Sequence, residues 1–176
     1  MNAPRFTVRR VAAIEAAACV EPLADVLIDC VEGGASVRCM LPLPRETALA
    51  FWRGIAVGVV RGERVLLFAE EADGRIVGTV QLILAQPANQ PHRADVAKML
   101  VHRSARRCGI AQQLMAAADT EALAHGKSVL VLDTVTGSDA ERLYERAGWQ
   151  RVGTVPKYAL MPSGEFCATT FFYKHL

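Results

Sequence analysis

Apolar and polar positions recur along this chain with two periods, one of two residues and one near 3.6. Together they divide it into strands and helices. Phe6 to Val11 alternates and is rich in β-formers, which predicts a first strand. Ala12 to about Glu32 carries Ile14, Leu23, Val26, Leu27 and Val31 near helical spacing. A helix is expected there, kinked or restarted at Pro22 and ended by Gly33-Gly34. Residues 35–44, with two prolines, form a connector. A second helix should run from Pro44 or Arg45 to about Val60, with Leu49, Trp52, Ala56 and Val59 on its apolar face. Gly54 and Gly58 weaken its propensity and mark close packing. Val65–Glu70 and Arg75–Ala85, joined by Ala72-Asp73-Gly74, read as an antiparallel hairpin, and Gly78 inside it suggests a bulge or a close backbone approach.

The next segment is the densest in chemistry. Val96 to Val101 is an apolar run of buried-strand type. A basic turn follows with His102, Arg103, Arg106 and Arg107, then Gly109, then a helical pattern from Ile110 to about Ala124. The first N–H groups of a helix lack intrahelical partners, and the aligned peptide dipoles favour an anion there. Gly109 lets the backbone approach closely, and the arginines add charge-assisted hydrogen bonds. Strand, basic glycine turn and helix together can hold a phosphate.

Ser128 to Thr134 is another apolar β-rich run. Ser138-Asp139-Ala140-Glu141 matches a capping box, opening a short helix with Ala140, Leu143, Tyr144 and Ala147 on one stripe and Gly148 at its end. Trp149–Val155 and Thr169–Tyr173 complete the strands. The order β-α-α-β-β-β-α-β-α-β-β predicts a mixed α/β sheet with helices on its faces. No repeat or linker divides it, so residues 1–176 are expected to form one domain.

Composition narrows the class. A formal net charge of +2 with scattered Lys and Arg argues against a general nucleic-acid binder. The five cysteines are odd in number, without a CxxC pair or a histidine at zinc-ligand spacing. No metal site and a reduced, cytoplasmic setting are expected. No apolar run reaches membrane-spanning length, and the start lacks a signal-type apolar core. The glycine turn is neither a P-loop (GxxxxGK[ST]) nor a dinucleotide GxGxxG turn.

Arg106-Arg107-Cys108-Gly109-Ile110-Ala111 resembles the [RQ]-x-x-G-x-[GA] motif of the GNAT superfamily of N-acetyltransferases. Ala140 to Trp149 (AERLYERAGW) looks like that family's LYxxxGF/W helix. The stretches GGASVRCMLPLPRETALAFW, HRADVAKMLVHRSARRCGIA and LVLDTVTGSDAERLYERAGW are similar to the bacterial branch that includes the tabtoxin-resistance acetyltransferase. The resemblance implies the GNAT fold: a mostly antiparallel mixed sheet of about seven strands with four helices. It implies acetyl-CoA as cosubstrate, with N–H groups from Arg107 to Gln112, including those of Cys108, Gly109, Ile110 and Ala111, around the pyrophosphate and Arg106 or Arg107 adding charge. Leu100, Val101 and His102 would pair with the pantetheine arm, and the Val101 N–H would meet the thioester oxygen. Ser138 and Ala140 would touch the arm from the short helix. Many relatives carry Asn where Gly137 stands here, so that side-chain contact is missing or passes to Ser138.

The same resemblance makes Tyr144 the acid that protonates the departing thiolate, although a core tyrosine would share its spacing. It makes Asp95 and Asp133 a pair that holds a proton-accepting water, with Asp95 standing where a longer Glu is expected. A strand-end charge and a turn-starting aspartate are the structural alternatives. His92 and His102 are further candidate bases, and Cys108 is read as structural. The acceptor pocket would be built by residues 35–52 and 158–165, with Ser36, Phe51 and Trp52 as lining candidates, the two aromatics equally well placed for core packing. A small primary amine, amino-acid-like or an antibiotic or toxin, is the expected acceptor. A protein N-terminus or lysine, and a non-catalytic acyl-CoA-binding module, are the alternatives. The apolar strand Thr169–Tyr173 offers a dimer edge.

Overall fold

A strand needs partners for its backbone and cover for its apolar faces, and these two demands arrange the chain. The computed structural model describes residues 6–176. Strands β1 (Phe6–Arg10), β2 (Arg64–Glu71), β3 (Ile76–Ile83), β4 (Arg93–Val101), β5 (Val129–Val135), β6 (Gln150–Leu160) and β7 (Phe166–His175) form one sheet in the order β1-β2-β3-β4-β5-β7-β6. All neighbours are antiparallel except β4 and β5. Helices α1 (Val20–Glu32) and α2 (Arg45–Val60) cover one face, and α3 (Ile110–Ala124) and α4 (Asp139–Arg146) the other. The mixed α/β architecture predicted from the element order is the one observed.

β2 shows why its sequence is a continuous apolar run. Val65, Leu67 and Ala69 pack towards Leu114 and Met115 of α3. Leu66 and Phe68 point the other way, into the cluster that holds Leu23, Leu27 and Trp52. A strand buried on both faces has no polar alternation to display.

The first helix, the sixth strand and the placement of the seventh differ from the sequence expectation. The first helix starts at Val20 rather than Ala12. Ala13–Glu15 is a separate 3-10 turn, where the Glu15 carboxylate accepts from the Ala12 N–H at 3.1 Å and from Arg9. Pro22 then falls in the first turn of α1, where no intrahelical N–H bond is lost. β6 continues past Val155 to Leu160 because a register shift against β7 absorbs extra residues around Pro156 and Lys157, the latter with φ 52°. β7 lies between β5 and β6, so it is no sheet edge and the expected dimer edge at Thr169–Tyr173 is corrected. β6 is the edge strand at this end of the sheet, and Val152, Val155 and Tyr158 on it are exposed.

The glycines sort by environment. A Cβ on Gly78 would lie 3.0 Å from Ile110 Cγ2, 3.2 Å from the Leu100 carbonyl oxygen and 3.2 Å from Leu114 Cδ1, so β3 and α3 approach closely here. Gly58 packs against the Arg64 side chain, whereas Gly54 faces open space and marks no packing contact. Gly78→Val should therefore destabilise the domain by about 1–3 kcal/mol through overpacking. Gly54→Ala should stabilise it by about 0.5–1 kcal/mol through helix propensity. Urea denaturation of the two variants checks both signs.

Candidate active site

The sheet comes apart at one place. β4 and β5 pair only from Arg93 to Asp95 against Val129 to Val131. Beyond Asp95, β4 stays with β3 as far as Val101, and β5 follows β7 as far as Val135. A bulge at Lys98 and Met99 opposite Val80 bends β4 there, and Lys98 takes the left-handed φ of 54°. The divergence opens a cleft of about 1220 Å³ between the two strands. His102 N–H donates to the Val77 carbonyl at 2.8 Å on the β3 side. By the alternation of an antiparallel pair, the preceding N–H, that of Val101, faces the gap. The Val101 carbonyl accepts from Arg106 Nε at 3.2 Å and from Cys30 Sγ at 3.4 Å.

At one end of the cleft the chain leaves β4 through a 3-10 turn, Arg103–Ala105, and enters α3. Arg107 has φ 61°, and Gly109, the N-cap of α3, has φ 83°. The first helical bond runs from Gln113 N–H to the Gly109 carbonyl at 3.1 Å. The N–H groups of Arg107 to Gln112 have no acceptor among the described residues. Successive unpaired N–H groups in left-handed turns form an anion cradle. Arg106 and Arg107 are exposed, line the cleft and have no carboxylate partner among the described residues.

Not every predicted member of this turn reaches the cleft. His102 and Cys108 are outside its lining. The His102 ring caps the 3-10 turn, with Nδ1 2.8 Å from Ser104 Oγ and Nε2 3.4 Å from Asp29. Cys108 Sγ donates to the Arg106 carbonyl. Arg103 bonds Asp29 of α1 through its N–H at 2.8 Å and its Nε at 2.9 Å. Burial alone would raise the Asp29 carboxyl. The two bonds from Arg103 outweigh it and hold the group below its ordinary range.

The opposite wall comes from β5 and α4. Ser138 Oγ accepts from Glu141 N–H at 3.2 Å, and Glu141 reaches back to the Gly137 N–H, one residue earlier than the capping box predicts. Glu141 is also paired with Arg151, so α4 is pinned to β6. This holds Ala140, Leu143 and Tyr144 against the cleft. Tyr144 is buried beside Trp149 and Phe172, and its hydroxyl has no hydrogen-bond partner among the described residues. Burial, and then the nearby Asp133 carboxylate, push the phenol well above its ordinary pKa. Asp133 lines the cleft, is exposed and makes no ion pair among the described residues.

The other end of the cleft is roofed by the connector between α1 and α2. Ser36 Oγ donates to the Leu160 carbonyl at 2.9 Å, and Leu41 N–H donates to the Pro162 carbonyl at 3.0 Å. Lys98 Nζ donates to the Val37 carbonyl at 3.0 Å. The connector is thus strapped to both β4 and the β6–β7 hairpin. Arg38, Lys98 and Tyr158 line this end; Arg38 and Tyr158 fall within the two segments expected to build the pocket, and Lys98 lies outside them. A lysine in the middle of an apolar strand run was the available signal for Lys98.

Four candidates are corrected here. Asp95 does not line the cleft; it is ion-paired with Arg93 and accepts from Gln86 Nε2 at 3.0 Å, at the point where β4 and β5 are still joined. Trp52 is 1% exposed in the core, and Phe51 stacks edge-on against it at 5.2 Å, so the packing alternative holds for both. His92 lies outside the cleft, its carbonyl accepting from Ser128 N–H at 2.8 Å.

Residues 38–149 match the Acetyltransferase (GNAT) family. An N-acetyltransferase of the hisH-hisA intergenic region of Azospirillum brasilense is 34% identical over 113 residues, which are 63% of this chain and 65% of that protein. The match therefore spans less than two thirds of that relative's length. A GNAT superfamily phosphinothricin acetyltransferase from Sinorhizobium meliloti, solved in complex with AcCoA, superposes with a TM-score of 0.78 at 14% identity over 98% of this chain and 89% of that one. A ribosomal-protein-alanine N-acetyltransferase from Brucella melitensis gives a TM-score of 0.77 at 23% identity over 97% and 99%. These two structures share the fold. Because the family match extends over more than half of its length, the chain belongs to the GNAT acetyltransferase family.

Proposed function

We propose that this chain is an acetyl-CoA-dependent N-acetyltransferase that passes the acetyl group directly to the primary amine of a small molecule. The observation that carries this reading is the continuous cleft between β4 and β5, with an anion cradle at one end and a strapped pocket at the other. The residues present fit the cosubstrate. Unpaired N–H groups and two arginines without a carboxylate partner among the described residues suit a pyrophosphate, and the unpaired edge of β4 suits an extended amide arm. The Sinorhizobium meliloti relative, solved with AcCoA, supports the assignment, and we place the chain in the tabtoxin-resistance branch on the three stretches quoted above. The strap across residues 35–41, tied to the β6–β7 hairpin over the acceptor end, favours a small acceptor over a polypeptide.

When bound, acetyl-CoA supplies an activated acyl carbon on a thioester. This chain's own residues do the rest. Asp133, through a water, takes the proton that a neutral-pH ammonium must lose before it can attack. The Val101 N–H donates to the oxygen on which charge develops. Tyr144 gives its proton to the sulfur as the C–S bond breaks. Its raised pKa keeps it protonated at neutral pH, as a donor must be. Asp95, tied to Arg93, has no part in this scheme.

Thiol release from acetyl-CoA should be driven by small primary amines and not by peptides with free N-termini. Turnover of peptides alone would overturn the assignment, and binding without release to any amine would leave a binding module. Tyr144→Phe should lower kcat by about 100-fold while calorimetry shows an unchanged acetyl-CoA affinity. Asp133→Asn should lower kcat by a similar factor while acetyl-CoA affinity stays unchanged. Gly109→Glu should weaken acetyl-CoA binding by about 100-fold or more, since it sets a carboxylate in the anion cradle. Gly109→Ala, with the same backbone strain and no charge, should lose far less.

A further inference from the structure

The acceptor end of the cleft carries a charge imbalance that the reaction above does not use. Arg38 and Lys98 both line it, and neither has a carboxylate within ion-pair distance among the described residues. Asp133 is the carboxylate at this end, and the mechanism assigns it to the amine. Asp139 also lines the cleft but is paired with Arg142 on α4. Lys98 is held at the bulge of β4 with its ammonium against the Val37 carbonyl at 3.0 Å and 5.4 Å from the Phe51 ring centroid. That leaves two of its three N–H donors unused. Arg38 is the next residue after Val37, so the strap that fixes Lys98 also brings in the second cation. Its backbone takes φ 68°, and its guanidinium is exposed without a hydrogen bond among the described residues.

We propose that Lys98 and Arg38 form a carboxylate subsite, so that the acceptor is an amino acid or a close analogue with its amine and its carboxylate a few bonds apart. This rests on the small-amine reading of the preceding section. Lys98 lies three residues before Val101, about 10 Å along the strand. Its ammonium is held on the connector side of the cleft by the Val37 carbonyl, so an anion bound there and an amine near Val101 belong to one short acceptor. Asp133 then faces the ammonium and the two cations face the carboxylate, a polarity that selects zwitterions over simple amines.

The ionisation of Lys98 gives the subsite a pH signature. Burial, and then the charge of Arg38, push its ammonium down to about 8, while Cys39 and Asp133 pull the other way and Arg64 adds to the lowering. Arg64 is itself engaged with Gln81 Oε1 at 2.7 Å. With the folded pKa depressed, the cation is present below about pH 8 and is lost as pH rises through it. An anion bound there favours the charged form, so affinity for an acid falls on the alkaline side.

The test is a thiol-release panel of the twenty L-amino acids, each beside its α-carboxamide and its decarboxylated amine. The best acid should exceed its neutral partners by about tenfold or more in kcat/KM, the scale of a hydrogen-bonded charge. Lys98→Met and Arg38→Gln should each erase that preference through KM, with acetyl-CoA affinity unchanged. Lys98→Arg should keep it and remove the rise in KM above pH 8. Independently of turnover, labelling of Lys98 by an amine-directed acetylating reagent at pH 8, read by peptide mass, should slow in a mixture of the amino acids and not in the amides. Equal turnover of acids and amides, unprotected labelling, or an undiminished preference in both neutral variants overturns the subsite and leaves the small-amine reading standing. Turnover of peptide N-termini alone overturns both.

Discussion

Two neighbouring strands that begin as partners and then separate leave two rows of backbone groups without a sheet neighbour. The cleft of this chain follows from that break after Asp95. Inside a sheet such groups would be satisfied by each other. At the break they are open to water or to a ligand that imitates a strand. The bulge at Lys98 turns β4 aside, and the long pairing of β5 with β7 holds the other edge in place. The cleft is thus framed by well-paired strands on both sides.

Legibility from sequence followed the locality of the physics. The strand, glycine turn and helix around Gly109 could be read because their signals are contiguous and each has a mechanical reason. The left-handed φ of Gly109 and the row of unpaired N–H groups are what that reading required. Tyr144 and Asp133 could be nominated by position, and both line the cleft. Asp95 could not be judged, because its fate depends on Arg93 and Gln86, whose approach is a tertiary matter. His102 and Cys108 sit inside the motif in sequence, yet side-chain direction in a tight turn sends them elsewhere. Phe51 and Trp52 illustrate a different limit, since an aromatic on a helix stripe looks the same whether it faces a pocket or a core.

The acceptor end was the least legible part. It is assembled from the connector after α1, the bulge of β4 and the β6–β7 hairpin, three places far apart in the chain. No periodicity announces such a convergence. The bulge itself has no sequence marker, because a non-glycine residue with left-handed φ is uncommon.

The way the connector is fastened has a bearing on how this enzyme's selectivity could drift over generations. The Leu160, Pro162 and Val37 acceptors are all main-chain carbonyls, and the Leu41 donor is a main-chain N–H. Only Ser36 and Lys98 contribute side chains to the fastening. Most residues of the hairpin and connector can therefore be exchanged without releasing the roof, so the lining of the pocket is free to diversify while the chamber keeps its shape.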